Sequence, residues 1–109
     1  MTNYVLIYSG GGMPETEEEQ AAVLAAWGAW YEALGQATVD GGNPFSPMAK
    51  SINSDGSVGD AAYPASGYTI ITTSSLDAAV EMAKGCPVLS DGGTVNVYET
   101  FVIPGAEGM

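Results

Sequence analysis

The chain opens on a compact apolar, β-branched run, Tyr4-Val5-Leu6-Ile7-Tyr8, closed by Ser9-Gly10-Gly11-Gly12, and this pattern predicts a strand. The period of the apolar positions then changes from two to about 3.6. Beyond Pro14, Thr16 stands three residues before Glu19, a capping-box spacing. Glu15, Glu17, Glu18 and Glu19 crowd the turn where a helix N-terminus favours negative charge. Val23, Trp27, Trp30, Tyr31 and Leu34 follow at helical spacing and lay a heavy apolar stripe along one face, and Gly35 is placed to stop the helix. Residues 37–40 read as a short second strand before Gly41-Gly42-Asn43-Pro44. From there to Ser66 the chain is rich in Gly, Ser, Pro, Asn and Asp, too long a stretch for a bare connection. This excursion, residues 42–66, is expected to hold a small hairpin with 48–53 as one arm and Ser54-Asp55-Gly56 as the turn.

The second half repeats the plan. Tyr68-Thr69-Ile70-Ile71-Thr72-Thr73 predicts a strand, and Ser74-Ser75 caps a helix over 76–84. Its inward positions are expected to be Leu76, Ala79, Val80 and Ala83, with Gly85 and Pro87 ending it. Asp91-Gly92-Gly93 turns the chain into a last strand over 94–102, and residues 104–109 read as a loose tail. The order βαβ, excursion, βαβ predicts one α+β domain across 1–109. It is of ferredoxin-like βαββαβ type, with two helices on one face of an antiparallel sheet. The first strand is apolar on both sides, with Tyr4, Leu6 and Tyr8 on one and Val5 and Ile7 on the other. The last carries Val95 and Val97 on one side and Tyr98 and Val102 on the other. Two helices cover one face only, so the second apolar face is expected to meet another copy in a homodimer. The alternative is a partly exposed face shielded by the excursion.

Charge changes the picture most. Thirteen acids stand against two bases, Lys50 and Lys84, with no arginine and no histidine, for a net charge of −11 in 109 residues. Nucleic-acid binding needs cations that neutralise phosphates, and two lysines cannot build that surface. The same deficit argues against polyphosphate, CoA or anionic-membrane ligands. No apolar run approaches the roughly 20 residues of a membrane span. The start, Met1-Thr2-Asn3-Tyr4, lacks the basic region of a signal peptide, so a cytoplasmic location is expected. The lone Cys86 has no intramolecular disulfide partner and agrees with a reducing compartment.

The absence of histidine excludes a Ser-His-Asp or Cys-His arrangement and any zinc site needing imidazole, and no metal or cofactor is expected. A carboxylate in an apolar site can still act as a base, and Asp40, at a strand end beside Gly41-Gly42, is the best-placed candidate; the plainer reading is a turn aspartate. Cys86 follows a helix C-terminus, where the dipole disfavours a thiolate, and reads as a buried structural thiol. Ser9-Gly10-Gly11-Gly12 lacks phosphate-loop spacing and a following lysine, and reads as a connector. Glu17, Glu18 and Glu19 point in different directions on a helix and form a solvated start, not a cation site. The aromatic residues are the most informative feature. Tyr8, Trp27, Tyr31 and Tyr68 are the candidate ligand-binding residues, converging with Trp30 between the first helix and the sheet. They serve as core, or they line a pocket for a small neutral, apolar ligand.

Three segments resemble the YCII-related family, and particularly its DGPF-domain branch: Tyr4-Val5-Leu6-Ile7-Tyr8, the helix segment Ala26-Trp27-Gly28-Ala29-Trp30-Tyr31-Glu32-Ala33-Leu34, and the closing block from Gly67-Tyr68-Thr69-Ile70 through Ser75-Leu76-Asp77-Ala78-Ala79 and Cys86-Pro87 to Gly92-Gly93-Thr94-Val95-Asn96-Val97. The resemblance implies a dimeric α+β barrel in which two sheets pack face to face, and a regulatory setting, because DGPF members are often encoded beside alternative sigma factors. The chain also departs from the pattern. It has Asp55-Gly56-Ser57 and then Tyr63-Pro64, with no Asp-Gly-Pro-Phe. Relatives proposed to be enzymes carry a histidine in the first helix at about Trp27 and an aspartate before the proline that matches Pro87, where Cys86 stands here. The family's catalytic proposal is therefore not transferred. The expected function is a non-catalytic homodimeric module binding a small neutral ligand between helices and sheet. The alternatives are a cofactor-free elimination or isomerisation on a small ring compound, using Asp40 and tyrosines, and a purely structural dimer.

Overall fold

Alternating burial marks the first strand, β1 (Thr2–Ser9), in which Tyr4, Leu6 and Tyr8 are buried while Val5 and Ile7 on the other side are half-buried. A computed structural model describes residues 1–11, 15–61 and 65–104. Gly12, Pro14, Tyr63, Pro64 and the tail beyond Pro104 lie outside the described residues. The acidic start leads into α1 (Glu17–Leu34), where Thr16 Oγ1 accepts from the Glu19 N–H at 3.1 Å and so satisfies one of the free donors of the first turn. Gly35 ends α1 at φ +55°, with its N–H donating to Tyr31 O. The apolar stripe of α1 faces the sheet: Trp30 is buried, while Trp27, Tyr31 and Leu34 pack half-buried against the core.

A short 3₁₀ turn leads into β2 (Thr38–Asp40), and the hairpin of the excursion follows as β3 (Lys50–Ile52) and β4 (Val58–Asp60). Its turn lies where Asp55-Gly56 predicts it. Gly56 N–H donates to Asn53 O at 2.8 Å and Asp55 Oδ1 accepts from the Ser57 N–H at 2.8 Å; the Ser57 side chain and then this N–H hold the Asp55 carboxyl below its ordinary value. These two strands form a separate two-stranded sheet whose residues other than Ser51 are exposed, closed by a Lys50–Asp60 ion pair at 3.2 Å. The chain returns as β5 (Ala65–Thr73), then α2 (Leu76–Ala83), a 3₁₀ turn over Pro87–Asp91 and β6 (Thr94–Glu99).

The fold is α+β, with two helices and a four-stranded antiparallel sheet in the order β2-β5-β1-β6. β1 is central, and its Leu6 lies between Thr69 of β5 and Val97 of β6. Tyr4, Leu6, Tyr8 and Ile71 supply the sheet side of the core, with Trp30 from α1, Ala79 and Ala83 from α2, and Cys86 and Val88 beyond it. Burying Leu6 and Ile71 completely contributes about 2 kcal/mol each. Trp30 Nε1 donates to Met82 O at 3.0 Å and ties the two helices together.

Three expectations are corrected. Leu76 and Val80 do not point inward: they are 45% and 36% exposed. Ala79 and Ala83 form the contact line of α2, and their small side chains seat the helix edge-on, leaving its flanks outside. The last strand ends at Glu99, not at 102, because Thr100 still donates its N–H to Asn3 O at 3.0 Å but β1 begins at Thr2 and has little left to pair with Phe101, Val102 and Ile103. Val102 therefore does not join Tyr98 on the second face. That face consists of Val5, Ile7 and Ile70, all half-buried, with Tyr98 58% exposed. Among the described residues, no helix is long and apolar enough to cross a membrane.

Candidate functional site

Strand register and helix phase bring three of the four predicted aromatic residues together. Trp27 and Tyr31 are one turn apart on α1 and share a face, and Tyr8 rises toward them from β1. The Tyr8 and Trp27 rings lie 5.4 Å apart at 74°, an edge-to-face contact, and Trp27 and Tyr31 lie 5.8 Å apart. Tyr68 has the other parity. Tyr8 pairs with Gly67 and Ile7 with Tyr68, so alternation turns the Tyr68 ring to the sheet face away from the helices. There it stacks on Phe45 at 5.7 Å and donates its O–H to Asp40 Oδ2 at 3.3 Å, while the residue still borders the cavity that the other three line.

Between α1 and the edge of the sheet lies a cavity of about 390 Å³. Leu24, Trp27 and Tyr31 of α1 wall one side and Tyr8 the floor, while the Gly41–Pro44 segment, Gly67 and Tyr68 close the rest. Among the described residues no charged side chain borders it. Its size falls within the range of small-molecule sites. Gly42 is required here: it has φ +76°, and a Cβ would run into Tyr68 O. The segment after β2 thereby closes over β5, with Phe45 N–H donating to Ser66 O at 2.9 Å and Pro44 bridging to Gly67.

The polar end of the cavity is a set of hydroxyls around one carbonyl. Tyr8 OH donates to Thr69 Oγ1 at 2.7 Å, Thr69 Oγ1 donates to Gly41 O at 3.0 Å, and Tyr31 OH donates to the same carbonyl at 2.8 Å. Thr69 is fully buried, so its hydroxyl needs these partners. Burial pushes the Tyr8 phenol far above its ordinary value, against the opposing hydrogen bond to Thr69. The buried Cys86 thiol is likewise pushed up, chiefly by desolvation. Both groups are held protonated at neutral pH.

Asp40 stands apart from this cluster. It is exposed, its Oδ1 accepts from the Gly42 N–H at 2.9 Å, and Oδ2 accepts from Tyr68, so both oxygens serve the turn. The site residues that sequence reasoning missed are Thr69, Gly41 and Gly42. Thr69 carried a signal: in the strand Gly67-Tyr68-Thr69-Ile70-Ile71, it shares parity with the core residue Ile71, and a polar residue on the buried parity of a strand demands partners. Comparison with protein-family models and with curated proteins finds no match for the chain.

Proposed function

We propose that the chain is a non-catalytic binding module of the YCII-related kind, which holds a small neutral ligand in the cavity between α1 and the sheet. The observation that carries this reading is the cavity itself, of about 390 Å³, with aromatic walls, a hydrogen-bonding end and no charged lining residue among those described. Binding is favoured over proton transfer because Asp40 lies outside the cavity with both oxygens engaged, and Tyr8 and Cys86 keep their protons. The test is a screen of small neutral aromatic fragments by ligand-observed magnetic resonance, repeated on Leu24→Glu. Leu24 is 65% exposed at the cavity wall, so the substitution introduces a charge with little cost to folding. Fragments should bind the wild type and lose binding in the variant. Binding that survives Leu24→Glu places the site elsewhere, and a screen without hits removes the reading.

The same reading includes a ferredoxin-like topology, a face-to-face homodimer, a reducing cytoplasmic setting and a regulatory role. The strand order β2-β5-β1-β6, with the hairpin set aside, supports the topology. The apolar second face of Val5, Ile7 and Ile70, on the side away from the helices, supports the dimer. Sedimentation at micromolar concentration should give about twice 11.1 kDa, with an interface of at least ~1,000 Å². A clean monomer overturns the pairing.

A further inference from the structure

We infer that the cavity selects ligands whose leading end carries an N–H or O–H donor, because the hydrogens of its own hydroxyls are already committed. This rests on the cavity being the binding site proposed above. Gly41 O has no hydrogen to give, so the contacts reaching it from Tyr31 at 2.8 Å and from Thr69 at 3.0 Å each use the hydroxyl's own hydrogen. With its hydrogen directed to Gly41, Thr69 Oγ1 is left to accept, and the 2.7 Å contact with Tyr8 takes the Tyr8 hydrogen. No hydrogen remains for the 3.3 Å approach of Tyr31 Oη to Thr69 Oγ1. Tyr31, a half-buried residue of the cavity wall, carries the oxygen that keeps lone pairs for an incoming group.

A carbonyl, ether or carboxylate pressed against this end meets lone pairs only. To receive it, Tyr31 must turn its hydrogen away from Gly41 O, which loses one of its two bonds. An N–H or O–H enters without disturbing any bond. The ring donor in the wall is separate: Trp30 Nε1 is bound to Met82 O, whereas the Trp27 N–H has no hydrogen-bond partner among the described residues and can meet an acceptor elsewhere on the ligand. The ligand class is thus a small apolar or aromatic body with a donor at its leading end, of the phenol or aromatic N–H kind. Anionic acids are disfavoured twice, by the lone pairs and by a chain of net charge −11.

The experiment titrates the full chain with indole, benzofuran and indene by ligand-observed magnetic resonance. The three share one fused-ring outline and differ at a single ring position, which is a donor N–H, an acceptor oxygen or a CH₂. Indole should bind about fivefold more tightly than either of the others, the worth of one ordinary hydrogen bond. That advantage should vanish in Tyr31→Phe, where benzofuran no longer meets the Tyr31 lone pairs, and Leu24→Glu should remove indole binding altogether. Benzofuran or indene binding as tightly as indole overturns the donor rule and leaves an apolar cavity. Failure of all three to bind overturns the cavity reading, and the donor rule with it. If Tyr31→Phe does not fold, the wild-type comparison of indole with benzofuran decides alone.

Discussion

Thr69→Val preserves the shape and branching of the side chain and removes a single oxygen, the one that both accepts from Tyr8 and donates to Gly41 O. The two losses are unequal. Gly41 O keeps its bond from Tyr31, whereas the Tyr8 hydroxyl, buried under α1, is left without an acceptor. An orphaned buried donor costs about 1–3 kcal/mol, and the added buried methyl returns a little under 1 kcal/mol, so Thr69→Val should destabilise by up to about 2 kcal/mol. Tyr8→Phe removes the donor instead and leaves Thr69 bonded to Gly41, at a cost of about 0.5–1.5 kcal/mol. The double variant has no orphan and should be more stable than the sum of the singles by about 1 kcal/mol. Urea unfolding followed by the fluorescence of Trp27 and Trp30, at one fixed protein concentration, measures all four corners of the cycle. Additivity to within about 0.3 kcal/mol, or a Thr69→Val protein as stable as wild type, would refute the hydroxyl network as drawn.

Two further outcomes follow from the same kind of accounting. Thr38 Oγ1 is buried without a hydrogen-bond partner among the described residues, so Thr38→Val should raise the urea midpoint, by about 1 kcal/mol of added stability; a lowered midpoint would mean that the oxygen is engaged. Tyr8 and Cys86 have folded-state values raised above 10.0 and 9.0, so the folded chain keeps protons that the unfolded chain releases. Their contribution is complete below those ordinary values and is lost as pH rises through 9.0 and then 10.0 toward the raised ones. The urea midpoint should fall with alkaline pH more steeply in wild type than in a Tyr8→Phe, Cys86→Ser protein, and identical slopes would contradict the raised values.

Elements whose signals are local were legible along the chain. Thr16 three residues before Glu19, the stripe from Val23 to Leu34 and Gly35 beyond it specify α1 without reference to any distant residue, because capping and helical periodicity act within one or two turns. The Asp55-Gly56 turn is local in the same way, since the Asp55 side chain bonds the backbone two residues on. The pairing of Trp27 with Tyr31 also follows from spacing alone. Chemistry excluded by the missing histidine and the two lysines needed nothing beyond composition.

What depends on pairing between distant segments was decided by the tertiary structure. Tyr68 and Thr69 are neighbours in one strand, and either belongs beside Tyr8 as far as apolar character goes. The register of β5 on β1 sets Thr69 against Leu6 and turns Tyr68 away, and a shift of one residue would have exchanged their roles. The end of β6 depends on where β1 begins, and the exposure of Leu76 and Val80 on how closely Ala79 and Ala83 let α2 approach the sheet. Gly41 has no side chain to announce it. Its carbonyl becomes the acceptor of two hydroxyls only because the segment after β2 folds back over Tyr68, where Gly42 alone permits the approach. A local pattern states which face of an element is apolar; which residues meet across two elements is set by backbone hydrogen bonds between segments tens of residues apart, and the chemistry of the cavity is made at those meetings.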